Sequence, residues 1–375
     1  MEVRAAGARP FSTVLPAGTT GAQLGRGVTV CVRALPSSTS TSVSSAIPSY
    51  EEGELERPRY AGDDPVSRFV SSLIAIKPLF NVMKVAARQV LIGTAEKNGV
   101  SWRGMSDEIL ASDVYAEKEL VENKSVVYPD YYLQEFHAYE EGNLSWKAAS
   151  EVAPATLSMM LRAIPTAQSP AEASQILRGG WLQAINDHHD MHSGGLGVST
   201  VLDVGCSIGE STRALADWFP SAHVTGLDLS PYFLAVAQHM EKQRAAAGVE
   251  SARRISWVHA NGECTGLPAA SFDVVSLAFV IHECPQSAIR GLLKEAFRIL
   301  KPGGTVALTD NSPKSKIIQN LPPAIFTLMK STEPWMDEYF TFDLDGEMEK
   351  IGFSNVKSIL TDPRHRTVTG TVPSH

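Results

Sequence analysis

Asp203, Gly205 and Gly209 stand together in VLDVGCSIGES, residues 201–211, where branched apolar residues meet an acid, a glycine-rich loop and then helix-forming residues. Such a loop lets backbone N–H groups approach a ligand, and the helix it opens offers its positive end to a carboxylate or phosphate. A dinucleotide loop requires G-x-G-x-x-G. Counted from Gly205, those glycines would fall at Ser207 and Glu210, so only Gly205 fits. An acid two residues ahead of Gly205 would repel a pyrophosphate and suits an ammonium group, so Asp203 is expected to point into the mouth of the loop and help hold an amino group. Asp228 closes HVTGLD, with Leu229 next to it, and can accept both hydroxyls of a ribose through charge-assisted bonds. HANGE, residues 259–263, puts Asn261 and Gly262 beside an adenine, with Asn261 able to bond an exocyclic amine.

These residues need a common rim, and the elements around them supply one. From residue 196 onward strand-like runs alternate with helix-like ones: VSTVLDVG, a helix over 210–219 stopped by Pro220, HVTGLDLS, and a helix opened by Ser230 and Pro231 that ends near Gly248. ISWVHA and FDVVSLAFV are further strands, followed by a helix over 286–300, a KPGG turn and TVALTD. This alternation predicts an α/β fold with a Rossmann-like, doubly wound, mostly parallel sheet, helices covering both faces. GFSNVKSIL and HRTVTGTV read as a closing pair that puts one antiparallel strand near the C-terminus. In such a sheet ligands bind beyond the carboxyl ends of the strands, where the loops after Asp203, Asp228 and HANGE all lie. The ligand carrying an ammonium, a carboxylate, a ribose and an adenine that fits all three is S-adenosylmethionine.

The segments VLDVGCSIG, GLDLS, HANGECTGLPAASFDVV and EAFRILKPGGTVALTD, in this order and spacing, make residues 198–375 resemble a class I S-adenosylmethionine-dependent methyltransferase, in the style of the small-molecule ubiquinone/menaquinone methyltransferases. The resemblance implies that Asp203, Gly205 and Gly209 form the first motif, that Asp228 binds ribose and that Asn261 and Gly262 flank adenine. The sequence departs from the family at Ser207, where a third glycine is usual, and at Asn261, where an acid is usual. Ser207 is expected to be tolerated provided its backbone stays out of positive φ. Methyl transfer is an in-line displacement in which the cofactor carries the reactivity and the protein aligns the acceptor and excludes water. A base is needed only for a weakly acidic acceptor. His282 and Glu283, in FVIHECP after the fourth strand, lie where the acceptor approaches, and a neutral His282 would take a proton or orient the acceptor.

Residues 66–195 carry apolar residues at helical spacing and read as a helical cap on the substrate side. One or two helices are expected over 66–92, limited by Pro78, another over 144–164, and a third opened by the capping box Ser169-Pro170-Ala171-Glu172. Within the cap, Tyr132, Phe136 and Tyr139 share a face at helical spacing, next to His137. They read either as a core stripe or as an aromatic lid over an apolar acceptor. DHHDMH, residues 187–192, has histidines four apart, but GlyGly follows at once and methyl transfer needs no metal, so no metal is expected.

The bulk numbers narrow the partners. The chain has 375 residues, 43% hydrophobic and 20% charged, with a net charge of −8, which disfavours a nucleic-acid footprint. No apolar run reaches the length of a membrane span. Four cysteines, Cys31, Cys206, Cys264 and Cys284, show no CxxC pairing and imply reduced thiols. Up to Ser49 the only acid is Glu2 and the bases are Arg4, Arg9, Arg26 and Arg33, followed by SSTSTSVSS. Residues 1–49 therefore read as a disordered transit peptide, chloroplast in style with a mitochondrial address as the alternative, and 50–65 as an acidic linker. The expected function is methylation of a small lipophilic, phenolic or quinone-like acceptor in an organelle. The alternative is a non-catalytic S-adenosylmethionine-binding regulatory or assembly protein; a nicotinamide oxidoreductase fails on the glycine spacing.

Overall fold

Seven strands form one sheet: Thr200–Val204 (β1), His223–Asp228 (β2), Ile255–His259 (β3), Phe272–Ala278 (β4), Leu300–Asn311 (β5), Ser354–Leu360 (β6) and His365–Thr371 (β7). Their order is β3-β2-β1-β4-β5-β7-β6. β1 to β5 pair in parallel, and β7 runs against both β5 and β6, so it is the one reversed strand the sequence predicts. The chain reverses direction across the sheet between β1 and β4, which opens the crevice at the carboxyl ends of β1, β2 and β4. This computed structural model describes residues 47–374, apart from 60, 62–64, 66, 67, 70, 71, 73–75 and 138. The expected transit peptide and Cys31 lie in 1–46, outside the described residues, as does part of the 66–92 segment.

Period-two side chains explain why the sheet is covered on both sides. Leu202, Leu227, Val275, Leu277, Val306 and Leu308 enter one core with Ile289, Leu293 and Ala296 of the helix Gln286–Ile299. Their neighbours Val201, Val224, Val274 and Ala307 enter the other, against Leu177, Trp181 and Ile185 of the helix Pro170–His192. Each of those three side chains is essentially inaccessible, and each contributes roughly 1.5–3 kcal/mol by its burial. KPGG does not end a helix-to-strand turn as expected. It lies inside β5 as an excursion, so that β4 pairs Phe272 with Leu300 and Val274 with Thr305, and Gly303 takes φ +81° there.

In chain order the helices of the described residues are α1 (Lys77–Lys97), α2 (Trp102–Ala111), α3 (Val114–Val121), α4 (Trp146–Ala163), α5 (Pro170–His192), α6 (Glu210–Trp218), α7 (Pro231–Ala246), α8 (Gln286–Ile299), α9 (Lys316–Gln319), α10 (Pro323–Thr332), α11 (Met336–Phe340) and α12 (Leu344–Ile351). Pro78 opens α1 rather than dividing it, because proline is at home in a first helical turn. Ser169 caps α5 by accepting from Glu172 N at 3.1 Å, while Glu172 reaches back to Gln168 N at 2.7 Å. α5 does not belong to a separate cap. It packs on the sheet, and its His188 and His189 bond Thr371, Thr369 and Thr305 at 2.9 Å, so residue 195 marks no domain boundary. These contacts also leave His188 to the sheet rather than to an ion. The acidic linker is fastened by Glu51 to Lys316 at 2.6 Å and Glu56 to Lys314 at 3.0 Å. No helix of the described residues is long and apolar enough to cross a membrane.

Candidate active site

The loop between β1 and α6 is built around positive backbone angles. Gly205 and Gly209 take φ +70° and +84°, and a Cβ on Gly205 would stand 2.5 Å from Val280 Cγ2. At Gly209 it would stand 2.3 Å from the Trp257 ring. Ser207 also takes a positive φ, +50°, contrary to the condition set for tolerating it. That costs a non-glycine residue roughly 1–2 kcal/mol. Its N–H, however, donates to Asp228 Oδ2 at 2.7 Å, and Gly205 N and Cys206 N both donate to Leu227 O. The loop is thus sewn to the end of β2 by three backbone donors.

Asp203 is fully buried and does not line the cavity described below, so it does not point into the mouth of the loop as expected. Its Oδ2 accepts from Ser211 Oγ at 2.6 Å and Thr212 Oγ1 at 2.7 Å, which ties β1 to the first turn of α6. Its Oδ1 is buried with no hydrogen bond. Burial pushes its pKa up to about 6. Asp228 does line the cavity. Its Oδ1 takes Ser230 N at 2.7 Å and its Oδ2 takes Ser207 N, and burial pushes its pKa up to about 7.

The cavity has a volume of about 770 Å³. One end is walled by Gly205, Ser207, Asp228, Leu229, Asn261 and Gly262. Asn261 Oδ1 accepts from Glu263 N at 2.9 Å, and a Cβ on Gly262 would meet Val204 and Leu292 at 2.7 Å. His259, which sequence reasoning missed, fixes this wall. Its Nδ1 accepts from Asn123 N at 2.9 Å and its Nε2 donates to Leu229 O at 3.0 Å, so the α3 segment is pinned to the end of β2. These residues fit S-adenosylmethionine. A carboxylate with spare lone pairs faces the space for a ribose diol, and glycines leave room at the loop.

The other end is aromatic and charged. Tyr132, Phe136, His137 and Tyr139 all line the cavity, although not as one face of an α-helix, and Tyr132 stacks on Tyr128, which packs against His259. Residues Asp130–Leu133 form a 3₁₀ turn, and Phe136 and Tyr139 exchange backbone bonds of 3.2 and 2.8 Å across a tight bend. His137 sits in that bend at φ +49°. His282 and Glu283 follow β4 in a short 3₁₀ turn and line the same end. His282 Nδ1 lies 2.8 Å from Oδ1 of Asp310, a buried residue at the carboxyl end of β5. Burial alone would lower the His282 pKa, but the Asp310 carboxylate outweighs it and holds the ring protonated. The neutral base expected at His282 is therefore not what this site presents. Glu283 accepts from Asn143 Nδ2 at 3.3 Å, and burial raises its pKa. Glu333, Arg162 and Arg364 complete this end and had no motif to announce them; Asp310 had one signal, its place at the end of TVALTD.

The methyltransferase domain family model matches residues 201–304. A demethylmenaquinone methyltransferase of Tropheryma whipplei (strain Twist) is 32% identical over 182 residues, covering 43% of this chain and 70% of that protein. The ubiquinone/menaquinone biosynthesis C-methyltransferase UbiE of Methylobacterium nodulans is 41% identical over 105 residues, 28% of this chain and 38% of that one. Among solved structures, the S-adenosylmethionine-dependent methyltransferase SibL matches at 26% identity and TM-score 0.40, covering 55% of this chain and 57% of its own. An O-methyltransferase-like protein of Nostoc punctiforme matches at 21% identity and TM-score 0.46, over 72% of each chain.

Proposed function

The chain belongs to the class I S-adenosylmethionine-dependent methyltransferases, in their ubiquinone/menaquinone-methyltransferase-like group, and from that premise we propose that it methylates a small, lipophilic, phenolic or quinone-like acceptor inside a plastid. S-adenosylmethionine is its cofactor, held by Asp228, the 205–209 loop, Leu229, Asn261 and Gly262. Bound there, it supplies an electrophilic methyl group.

The observation that carries the reading is the continuity of the cavity from Asp228 at one end to His282 at the other. A methyl group presented between them meets an acceptor held by Phe136, Phe279, Met159, Met329 and Trp335, a lining that suits a lipophilic ring and excludes water. Arg162 and Arg364 line the same end, and burial and mutual repulsion lower the Arg162 pKa to about 10, which leaves it charged at neutral pH. Together with the protonated His282 they favour an acceptor oxygen that carries negative charge. The Tropheryma relative is a demethylmenaquinone methyltransferase and the Methylobacterium relative a ubiquinone/menaquinone biosynthesis C-methyltransferase by name, which supports a quinone-like acceptor.

Incubation of the full chain with methyl-labelled S-adenosylmethionine and a panel of demethylated quinols, simple phenols and amines tests the reading. Label is expected in a quinol or phenol product. Label only in amines, or in none of them while the chain still binds the cofactor, would replace the acceptor class or favour the non-catalytic alternative. The plastid address rests on the acid-poor, Ser/Thr-rich composition of 1–49. A fluorescent fusion of residues 1–60 is expected inside plastids, and its retention in the cytosol would overturn that part.

A further inference from the structure

The acceptor end gathers more ion-binding chemistry than the methylation reading uses. His137, His282 and Glu283 each bring a ligand atom to within 4.8 Å of the others. Glu333 closes the set: its Oε1 lies 3.8 Å from His137 Nε2 and its Oε2 lies 3.7 Å from His282 Nε2. Glu283 Oε1 stands 4.0 Å from His137 Nε2. All four residues line the cavity, and Glu333 Oε2 is buried without a hydrogen bond. Three separate parts of the chain supply them: the 134–145 loop, the turn after β4 and the end of α10.

We propose that His137, His282, Glu283 and Glu333 form a site for a divalent transition-metal ion at the acceptor end of the cavity. Two imidazole nitrogens and two carboxylate oxygens are the donor set of first-row divalent ions, and two carboxylates balance the charge of one such ion; His282, protonated when no ion is bound, releases its Nε2 proton on binding one. Bonds of about 2.0–2.2 Å in a tetrahedral arrangement place neighbouring ligand atoms about 3.4 Å apart. The three pairs measured at 3.7–4.0 Å are wider by about 0.3–0.6 Å, and no pair among His137, His282 and Glu283 exceeds 4.8 Å, so binding draws the four side chains together.

The surroundings are those of a prepared ligand set. Asp310, on His282 Nδ1, fixes which nitrogen faces the cavity and orients the ring, as carboxylates do for metal-binding histidines. Asn143 holds the second oxygen of Glu283 at 3.3 Å. His137 is kept in a left-handed backbone conformation, and its N–H donates to Thr332 O at 3.0 Å, next to Glu333 in the chain. Strain of this kind, kept at a cavity wall, places the imidazole opposite Glu333. Glu333 Oε2 lacks a hydrogen bond where it is buried, and the ion would be its partner. An acceptor hydroxyl or carbonyl oxygen would join such an ion as a fifth ligand, expanding it from four- to five-coordinate. This departs from the expectation of no metal. It holds whether or not the methyl acceptor is a quinol.

The test uses the untagged full chain, stripped with a chelator, equilibrated with Co²⁺ or Zn²⁺ and freed of excess ion. Bound metal is measured by elemental analysis and the Co²⁺ site by its visible absorption. One retained equivalent is expected, with a band of four- or five-coordinate intensity. His137→Asn, chosen because asparagine tolerates a left-handed backbone, and Glu333→Gln are each expected to weaken retention at least tenfold while circular dichroism stays unchanged. His192→Ala, outside the cluster, is expected to keep the full equivalent. Failure to retain the ion, or retention that neither cavity variant alters, overturns the proposal. Neither result touches cofactor binding, which calorimetry reports separately.

Discussion

Replacing Asp228 by asparagine gives a direct reading of the ribose site. Each carboxylate oxygen of Asp228 already accepts one backbone N–H, from Ser230 and from Ser207. Each oxygen keeps a second lone pair, and those two lone pairs are what a ribose diol uses. In Asp228→Asn one oxygen becomes an NH₂ that confronts a backbone donor and accepts nothing. Hydrogen bonds to a charged group are worth about 1.5–3 kcal/mol each. Losing one outright and weakening the other removes about 3–4 kcal/mol, a rise of two to three orders of magnitude in Kd at about 1.4 kcal/mol per tenfold. Titration calorimetry with S-adenosylmethionine or S-adenosylhomocysteine measures it. The unfolding temperature of the unliganded variant should move by no more than about 3 °C, because the amide sheds a burial penalty as it loses one backbone bond. A Kd within threefold of the parent chain, with an unchanged melt, would refute the assignment of Asp228 to the ribose.

The remaining predictions use the same site. Burial places the Asp228 pKa near 7, above its unfolded value of roughly 4, so between those two pH values the folded chain holds a proton the unfolded chain lacks. That group therefore makes the unliganded chain more stable as pH falls from 8 to 5, while cofactor affinity, which needs the carboxylate, falls up to about tenfold per unit below pH 7; both slopes should vanish in Asp228→Asn. Gly205→Ala puts a Cβ 2.5 Å from Val280 at φ +70°, so it should lower the unfolding temperature by more than about 4 °C and abolish detectable cofactor binding. His282→Ala leaves Asp310 buried without its imidazole and should cost about 3–5 kcal/mol in denaturant unfolding. Adding Asp310→Asn to it should restore most of that loss, and a double-mutant cycle with no coupling would contradict the pair.

The sheet and the cofactor end were legible because both are written locally. VLDV, HVTGLD and FDVVSLA are strands whose alternate residues both meet apolar layers, and the loop glycines sit at fixed distances from a strand end. Asp203 shows the limit of that reading: its position in the motif is plain, but the Ser211 and Thr212 hydroxyls draw it under the loop rather than into its mouth. Tyr132, Phe136 and Tyr139 were found as a set for a reason that does not hold. Their spacing suggested a helix, yet the positive backbone angles at His137 and Gly142 fold the segment into a bend that turns them to the same cavity. The pairing of His282 with Asp310 joins the ends of two neighbouring strands, so it follows from strand order, which the sequence left open. Glu333 and Arg364 arrive from segments without any motif, and only the folded chain brings them to His137.

A crystal structure of the full chain with S-adenosylhomocysteine tests the central claim most directly. The ribose hydroxyls are predicted within hydrogen-bonding distance of Asp228, the adenine between Leu229 and Asn261, and the thioether sulfur turned toward His282. A nucleoside lodged elsewhere, or one in the same cavity with its ribose away from Asp228, would contradict the account.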